Sequence, residues 1–126
     1  MSIKIGDIGE ARFIAKALEY GYHPCLPFSQ DTKFDVLLVT DQKMWRVQIK
    51  TCSHLSVNGR YEFSISNGGA GKNPYSPYDV DIVCCYIMPK NDFYFFFQTT
   101  FKSKKRINIY KNNSKYDIFK NIWDQL

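Results

Sequence analysis

The sequence predicts an α/β fold, a central mixed β-sheet flanked by helices. Three observations predict it. An amphipathic helical pattern opens the chain at residues 6–21, and a second one closes it near 115–125. Short segments with a two-residue alternation lie between them. Two almost continuous apolar runs, "DVDIVCCYIM" (79–88) and "DFYFFFQ" (92–98), read as buried strands. At 126 residues the chain is expected to form one domain over 1–126, large enough to bury its own core. An apolar content of 44% with 17% aromatic residues argues for a folded globule.

In the first helix, "GDIGEARFIAKALEYG", Asp7 can cap the first turn, Glu10 follows three residues later and Gly21 supplies the stop. Ala11, Ile14, Ala15 and Leu18 form its expected apolar stripe, with Glu10 at the edge. "HPCLPF" (23–28) reads as a short edge strand, because Pro24 and Pro27 cannot donate to a central ladder. "KFDVLLVT" and "KMWRVQIKT" form a hairpin around Asp41 and Gln42, without the Asn-Gly or Asp-Gly pair that would define its turn. "YEFSIS" (61–66) is a further strand, "NGGAGKNPYSPY" (67–78) a loop too rich in Gly, Pro and Asn for regular structure, and "INIY" (107–110) a weak strand. The closing helix would bury Ile118, Phe119, Ile122 and Trp123.

Composition excludes several classes. The four cysteines, Cys25, Cys52, Cys84 and Cys85, have no CxxC spacing, so neither a disulfide framework nor a zinc site is expected. No apolar run approaches membrane-spanning length and no leader pattern is visible, so a soluble intracellular (cytoplasmic) protein without a membrane partner is expected. The net charge of +5 is uneven: residues 1–63 hold 8 Lys/Arg against 7 Asp/Glu, residues 64–126 hold 9 against 5. Such a surface favours a polyanion through counterion release.

The hairpin carries the chemistry. Centred between Asp41 and Gln42, it pairs Phe34 with Ile49, Val36 with Val47 and Leu38 with Trp45. These apolar pairs fix the register, since a one-residue slip turns every side chain over. On the other face Asp35 comes opposite Gln48, with Cβ atoms about 4.5–5.5 Å apart, and Lys50 projects two residues beyond. This grouping suits metal-dependent phosphodiester cleavage. Asp35 offers a charged oxygen and Gln48 a neutral one to a hard cation, which polarises a phosphate and acidifies water. Lys50 can orient that water or stabilise transition-state charge. Glu10, from the first helix, can complete the shell directly or through water.

"GDIGEARF…KFDVLLV…WRVQIKT" resembles the PD-(D/E)-x-K nuclease superfamily, in its branch with a helical Glu, a strand Asp and Gln in place of the second acid (E…D…QxK). Homing endonucleases of group I introns have this form, and archaeal Holliday-junction resolvases share its layout with ExK. "YSPYDVDIVCCYI" and "IFKNIWDQL" resemble the second half of such small nucleases. The resemblance implies a restriction-endonuclease-like core, a catalytic set of Glu10, Asp35, Gln48 and Lys50, and Mg2+ held by Asp35, Gln48 and Glu10, with Mn2+ able to substitute. It further implies double-stranded or branched DNA as substrate. Phe34 stands where the family has Pro, and Gln48 removes one negative charge from the metal site. A catalytically silent nucleic-acid- or protein-binding module is therefore the alternative to a site-specific endonuclease or a junction resolvase.

Taken singly, these residues have plainer readings. Glu10 can be a capping-box partner of Asp7, Asp35 an acid near a strand start and Lys50 a solvated charge. "SNGGAGKN" is not a P-loop, because Asn73 replaces the Ser or Thr and prolines stand where a helix must begin. Lys72 in that loop, with Lys102, Lys104, Lys105 and Arg106, is the candidate DNA-phosphate surface; a solvated turn is the alternative for the cluster. A homodimer or higher homo-oligomer is expected. One metal cluster attacks one strand at a time, and "VCCYI" with "FYFFF" offer more apolar surface than the core is expected to hide.

Overall fold

The computed structural model describes residues 4–67, 73–76, 79–112 and 114–126. Helix α1 (Ile5–Glu19) leads into strand β1 (His23–Cys25), β2 (Val36–Val39) and β3 (Met44–Cys52). Strands β4 (Arg60–Ser64), β5 (Ser66–Asn67), β6 (Asn73–Pro74), β7 (Ile82–Ile87) and β8 (Asp92–Phe97) follow, then the one-turn helix α2 (Gln98–Phe101) and β9 (Arg106–Tyr110). The main sheet has five strands in the order β1-β2-β3-β7-β8. It is mixed, because β3 and β7 run parallel and every other pair is antiparallel.

The α1 terminus follows from Gly21. Its φ of +78° is the left-handed conformation that glycine adopts freely. The Gly21 N–H donates to Leu18 and the Tyr22 N–H to Ala17, closing a Schellman motif. The start differs from expectation. Lys4 occupies the cap position with no side-chain cap bond, and Asp7 lies within the first turn, so no capping box engages Glu10. The buried face also differs: Gly9, Phe13 and Ala17 are buried, Ile14 is half-buried, and Ala11, Ala15 and Leu18 are exposed. Two minimal side chains bring the helix close to the sheet, and the Phe13 ring fills the space between them. It lies 4.9 Å from the Trp123 ring, centroid to centroid, and also meets Phe93 and Phe95.

The β2–β3 hairpin has the expected register, with Val36 opposite Val47 and Leu38 opposite Trp45. Thr40 makes its turn without an Asn-Gly pair. The Thr40 N–H donates to the Lys43 carbonyl, and its Oγ1 accepts from the N–H groups of Gln42 and Lys43. Where β3 meets β7, Asp81 clamps the register. Its carboxylate accepts from the Arg46 N–H and guanidinium at 2.8–3.0 Å, and the Asp81 N–H donates to the Arg46 carbonyl. Burial works against the Asp81 charge, but the Arg46 bonds outweigh it and hold its pKa below the usual range.

Alternation along β7 sends Cys84 and Tyr86 into one core and Cys85 and Ile87 into the other, which explains the adjacent cysteines. One core lies between the sheet and α1 with the C-terminal segment; the other lies between the sheet and the β4–β9 ladder. Every residue of β7 and Phe93–Phe96 of β8 are buried. The apolar surface expected to be left over by "VCCYI" and "FYFFF" is thus absorbed within the chain. "YEFSIS" and "INIY" pair with each other and stay outside the main sheet. Asn67 and Asn73–Pro74, expected in an unstructured loop, take part in the two-residue β5–β6 ladder.

The amphipathic helix expected near 115–125 does not form. Two 3-10 turns, Asp117–Phe119 and Trp123–Gln125, flank an extended Lys120 and a left-handed Asn121 with φ 54°. The edge of β8 explains the difference. Asn121 donates its N–H to the Phe93 carbonyl at 2.6 Å and accepts the Phe93 N–H on Oδ1 at 2.8 Å. An edge strand's unpaired backbone outweighs a helical period of four apolar residues. Among the described residues no helix is long and apolar enough to cross a membrane.

Candidate active site

Asp35 stands immediately before β2, where the ladder changes. Its N–H donates to the Val47 carbonyl at 2.8 Å, and its own Oδ2 accepts the Ile49 N–H at 2.8 Å. The side chain thus stands in for a main-chain acceptor, a one-residue departure from the expected direct opposition to Gln48. Burial pushes its pKa up; the Ile49 N–H and the Lys50 charge act in the other direction without cancelling it.

Glu10 reaches the site because α1 lies against β3 through Gly9. A Cβ added to Gly9 would overlap the Thr51 hydroxyl and lie 3.0 Å from Thr51 Cβ. The next residue, Glu10, is half-buried at the rim of the helix. Its pKa is raised by burial first, then by the negative charge of Asp35, then by that of Asp7. Glu10 and Asp35 line one cleft of about 470 Å3 together with Asp7 and the segment from Leu26 to Phe34.

Asp35 and Gln48 line a second cleft of about 380 Å3, with Gln30, Asp31, Thr32, Lys33 and Tyr75. Asp35 therefore sits where the two clefts meet, with Glu10 on one side and Gln48 on the other. Strand alternation turns Gln48 and Lys50 to the same face of β3. The Lys50 ammonium lies 5.5 Å from the centroid of the Tyr75 ring, a cation–π contact that holds it beside the second cleft.

The donors are two carboxylates and an amide, all oxygen, which suits a hard divalent cation. Among the described residues no three His, Cys, Asp or Glu side chains form a group able to hold a metal ion, which leaves the Gln48 amide or water as the candidate third ligand. The chemistry of the donors fits such an ion: burial, the larger cause, and the charge of Asp35 both work against ionised Glu10, and a cation between the two acids would offset that disfavour.

The basic candidates are less concentrated. Lys102 and Lys105 are exposed, Lys104 is half-buried, and Arg106 opens β9 on its exposed side. Lys72 lies outside the described residues. Sequence reasoning missed Gly9, Lys33 and Tyr75. A glycine inside a helical pattern, next to the candidate acid, was the available signal for Gly9. The polar run "SQDTK" between Phe28 and Phe34 was the signal for Lys33.

Comparison with known proteins bears on the fold and the family. No curated protein matches the chain by sequence. A bacterial homing endonuclease of known structure, I-Ssp6803I, superposes with a TM-score of 0.79 at 20% identity, over 99% of this chain and 91% of that one. The shared fold is the restriction-endonuclease-like α/β architecture. The profile of the PD-(D/E)XK endonuclease family matches residues 2–122, and on that match this chain belongs to the PD-(D/E)XK endonuclease family.

Proposed function

We propose that the chain is a magnesium-dependent endodeoxyribonuclease that cuts duplex DNA at specific sites and works as a homodimer or larger homo-oligomer. One observation carries the reading: Asp35, half-buried with its pKa raised, sits at the junction of two clefts that also hold Glu10 and Gln48, with the Lys50 charge acting on it. Asp35, Gln48 and Glu10 would hold Mg2+, with Mn2+ able to replace it. When bound, the cation would polarise the scissile phosphate and make water more acidic. Lys50, steadied by Tyr75, orients the attacking water and offsets charge growing on the phosphate oxygens. Lys102, Lys104, Lys105 and Arg106 bear on the DNA, and Lys72 is proposed with them.

The test is cleavage of supercoiled plasmid and of a four-way junction, with Mg2+, with Mn2+ and with chelator. Discrete linear products that require the cation support the reading. Binding without cleavage in either metal would make the chain a silent module, and cutting confined to the junction would make it a resolvase. Light scattering tests assembly, since one catalytic set per chain has to be duplicated by symmetry for paired cuts. Exposed Leu26 and Phe28, beside the clefts, supply apolar surface for such a contact. A strictly monomeric mass, free and on DNA, would refute assembly while leaving the site untouched.

Gln48→Glu adds a negative charge beside the cleft that Asp35 lines, so calorimetric titration is expected to give tighter Mg2+ binding even where turnover falls. Unchanged affinity counts against Gln48 as a ligand.

A further inference from the structure

The β4–β9 ladder stands apart from the five-stranded sheet as a two-stranded antiparallel ribbon. Its inner face, Tyr61, Phe63, Ile107 and Ile109, is buried in the same core as Tyr75, on the sheet face that carries Lys50. Its outer face is polar: Arg60, Glu62 and Ser64 on β4 stand opposite Tyr110, Asn108 and Arg106 on β9. The Arg60 Nε donates to Glu62 Oε2 at 2.8 Å, which holds the guanidinium in one orientation before any ligand arrives.

Cations mark both ends. Lys104, Lys105 and Arg106 lead into β9, and Lys111 leaves it, where Lys90 Nζ donates to the Lys111 carbonyl at 3.2 Å. Between Asp92 and Asp117 the chain has six Lys/Arg and no acid. Five residues of strand span about 17 Å, against a major groove about 12 Å wide that admits a two-stranded ribbon. A ribbon of that length, basic at both ends and polar along its middle, is complementary to a groove walled by phosphates.

We infer that the β4–β9 ribbon enters the major groove of duplex DNA, with Arg60 and Arg106 on its outer face reading base edges and the lysines at its ends contacting the flanking phosphates. The inference rests on the reading of the chain as a DNA endonuclease and names the element that would select its target. Arginine pairs with the guanine O6 and N7 acceptors and carboxylate with the cytosine amine, so the outer face has the side chains this recognition requires. The buried inner face gives the ribbon a fixed orientation, which an isolated two-stranded hairpin lacks.

The experiment uses a duplex library with a randomised central segment, cut in Mg2+ and sequenced at the new ends. Wild type is compared with Arg60→Ala, Arg106→Ala and the double variant Lys104→Ala/Lys105→Ala, each verified as folded by circular dichroism. Each arginine variant is expected to lose roughly tenfold preference at one or two base positions. The double lysine variant is expected to keep the wild-type motif, bind every sequence more weakly and lower the salt slope by about two. Identical motifs for wild type and both arginine variants would overturn the inference, as would wild-type cutting without any motif; in both cases the chain remains a nuclease, and in the second its site specificity falls as well. If nothing cuts, the nuclease reading falls, and interference by guanine N7-methylation with binding in Ca2+ judges the ribbon separately. Interference at N7 that is lost in Arg60→Ala supports it; interference confined to minor-groove adenine N3 overturns it.

Discussion

Lys50→Ala and Asp35→Ala are expected to abolish DNA cleavage while the protein stays folded. Neither side chain belongs to either hydrophobic core, and both stand on the polar side of the β2–β3 hairpin. Loss of a single pre-placed charge of this kind costs on the order of 10²–10³ in rate. Asp35→Ala also strips the Ile49 N–H of its acceptor, a cost of about 1–3 kcal/mol for an orphaned buried donor. Asp35→Asn is the cleaner variant, since its amide oxygen can still accept that bond. Its stability has a definite sign. Burial raises the Asp35 pKa, so the folded state favours the protonated form, and stability present at low pH is lost as pH rises through the raised pKa. Without divalent ions, Asp35→Asn is therefore expected to melt above wild type at neutral pH and to converge with it in acid. At cation concentrations too low to saturate the site, the wild-type cleavage rate is expected to fall in acid with a midpoint above the ordinary carboxylate values, because Glu10 and Asp35 are both shifted upward in the metal-free protein and both have to ionise to hold a cation; saturating cation is expected to move the midpoint down. Cleavage at the wild-type rate by either alanine variant would show that the site is misassigned.

Gly9→Ala is expected to destabilise the protein and to slow cleavage together. In an exposed helix interior the exchange gains about 1 kcal/mol from propensity. Here the new methyl overlaps the Thr51 hydroxyl, and Thr51 Cβ and Cγ2 stand at 3.0 and 3.3 Å, so turning the hydroxyl away brings another part of the branched side chain close. Overpacking of that kind costs about 1–3 kcal/mol and is relieved by moving α1 away from β3. Glu10 moves with it, which couples stability to rate. Thr51→Ala in the same chain removes the overlapping hydroxyl and Cγ2 and leaves only Cβ, at 3.0 Å, so a double-mutant cycle in thermal stability and in cleavage rate should recover much of both losses. A Gly9→Ala protein that melts higher and cuts normally would show that the close approach does not position Glu10.

Local sequence was informative wherever one element satisfied its own constraints. The β2–β3 register was legible because apolar residues on one face admit only one pairing. The α1 terminus was legible because Gly21 can take a positive φ that other residues resist. The order of Glu10, Asp35, Gln48 and Lys50 along a helix and a hairpin pointed to the family that the profile match then identified.

What the sequence could not resolve depended on partners distant in the chain. The face of α1 that turns inward is chosen by Thr51 and by the Phe93, Phe95 and Trp123 rings, so Gly9, Phe13 and Ala17 are buried where a periodic reading selected Ala11, Ala15 and Leu18. The C-terminal segment follows the open edge of β8 instead of its own helical period, because unpaired backbone groups at a sheet edge need partners. The β4–β9 ribbon separates from the main sheet and covers its second face, burying the apolar strands that looked destined for the surface. The sequence by itself thus determined the fold class, the hairpin register and the residue types of the candidate site. Tertiary packing decided which helix face meets the sheet, how Glu10 approaches Asp35 and which polar surface stays exposed, because those choices minimise buried voids and unpaired backbone over the whole chain and no local window contains them.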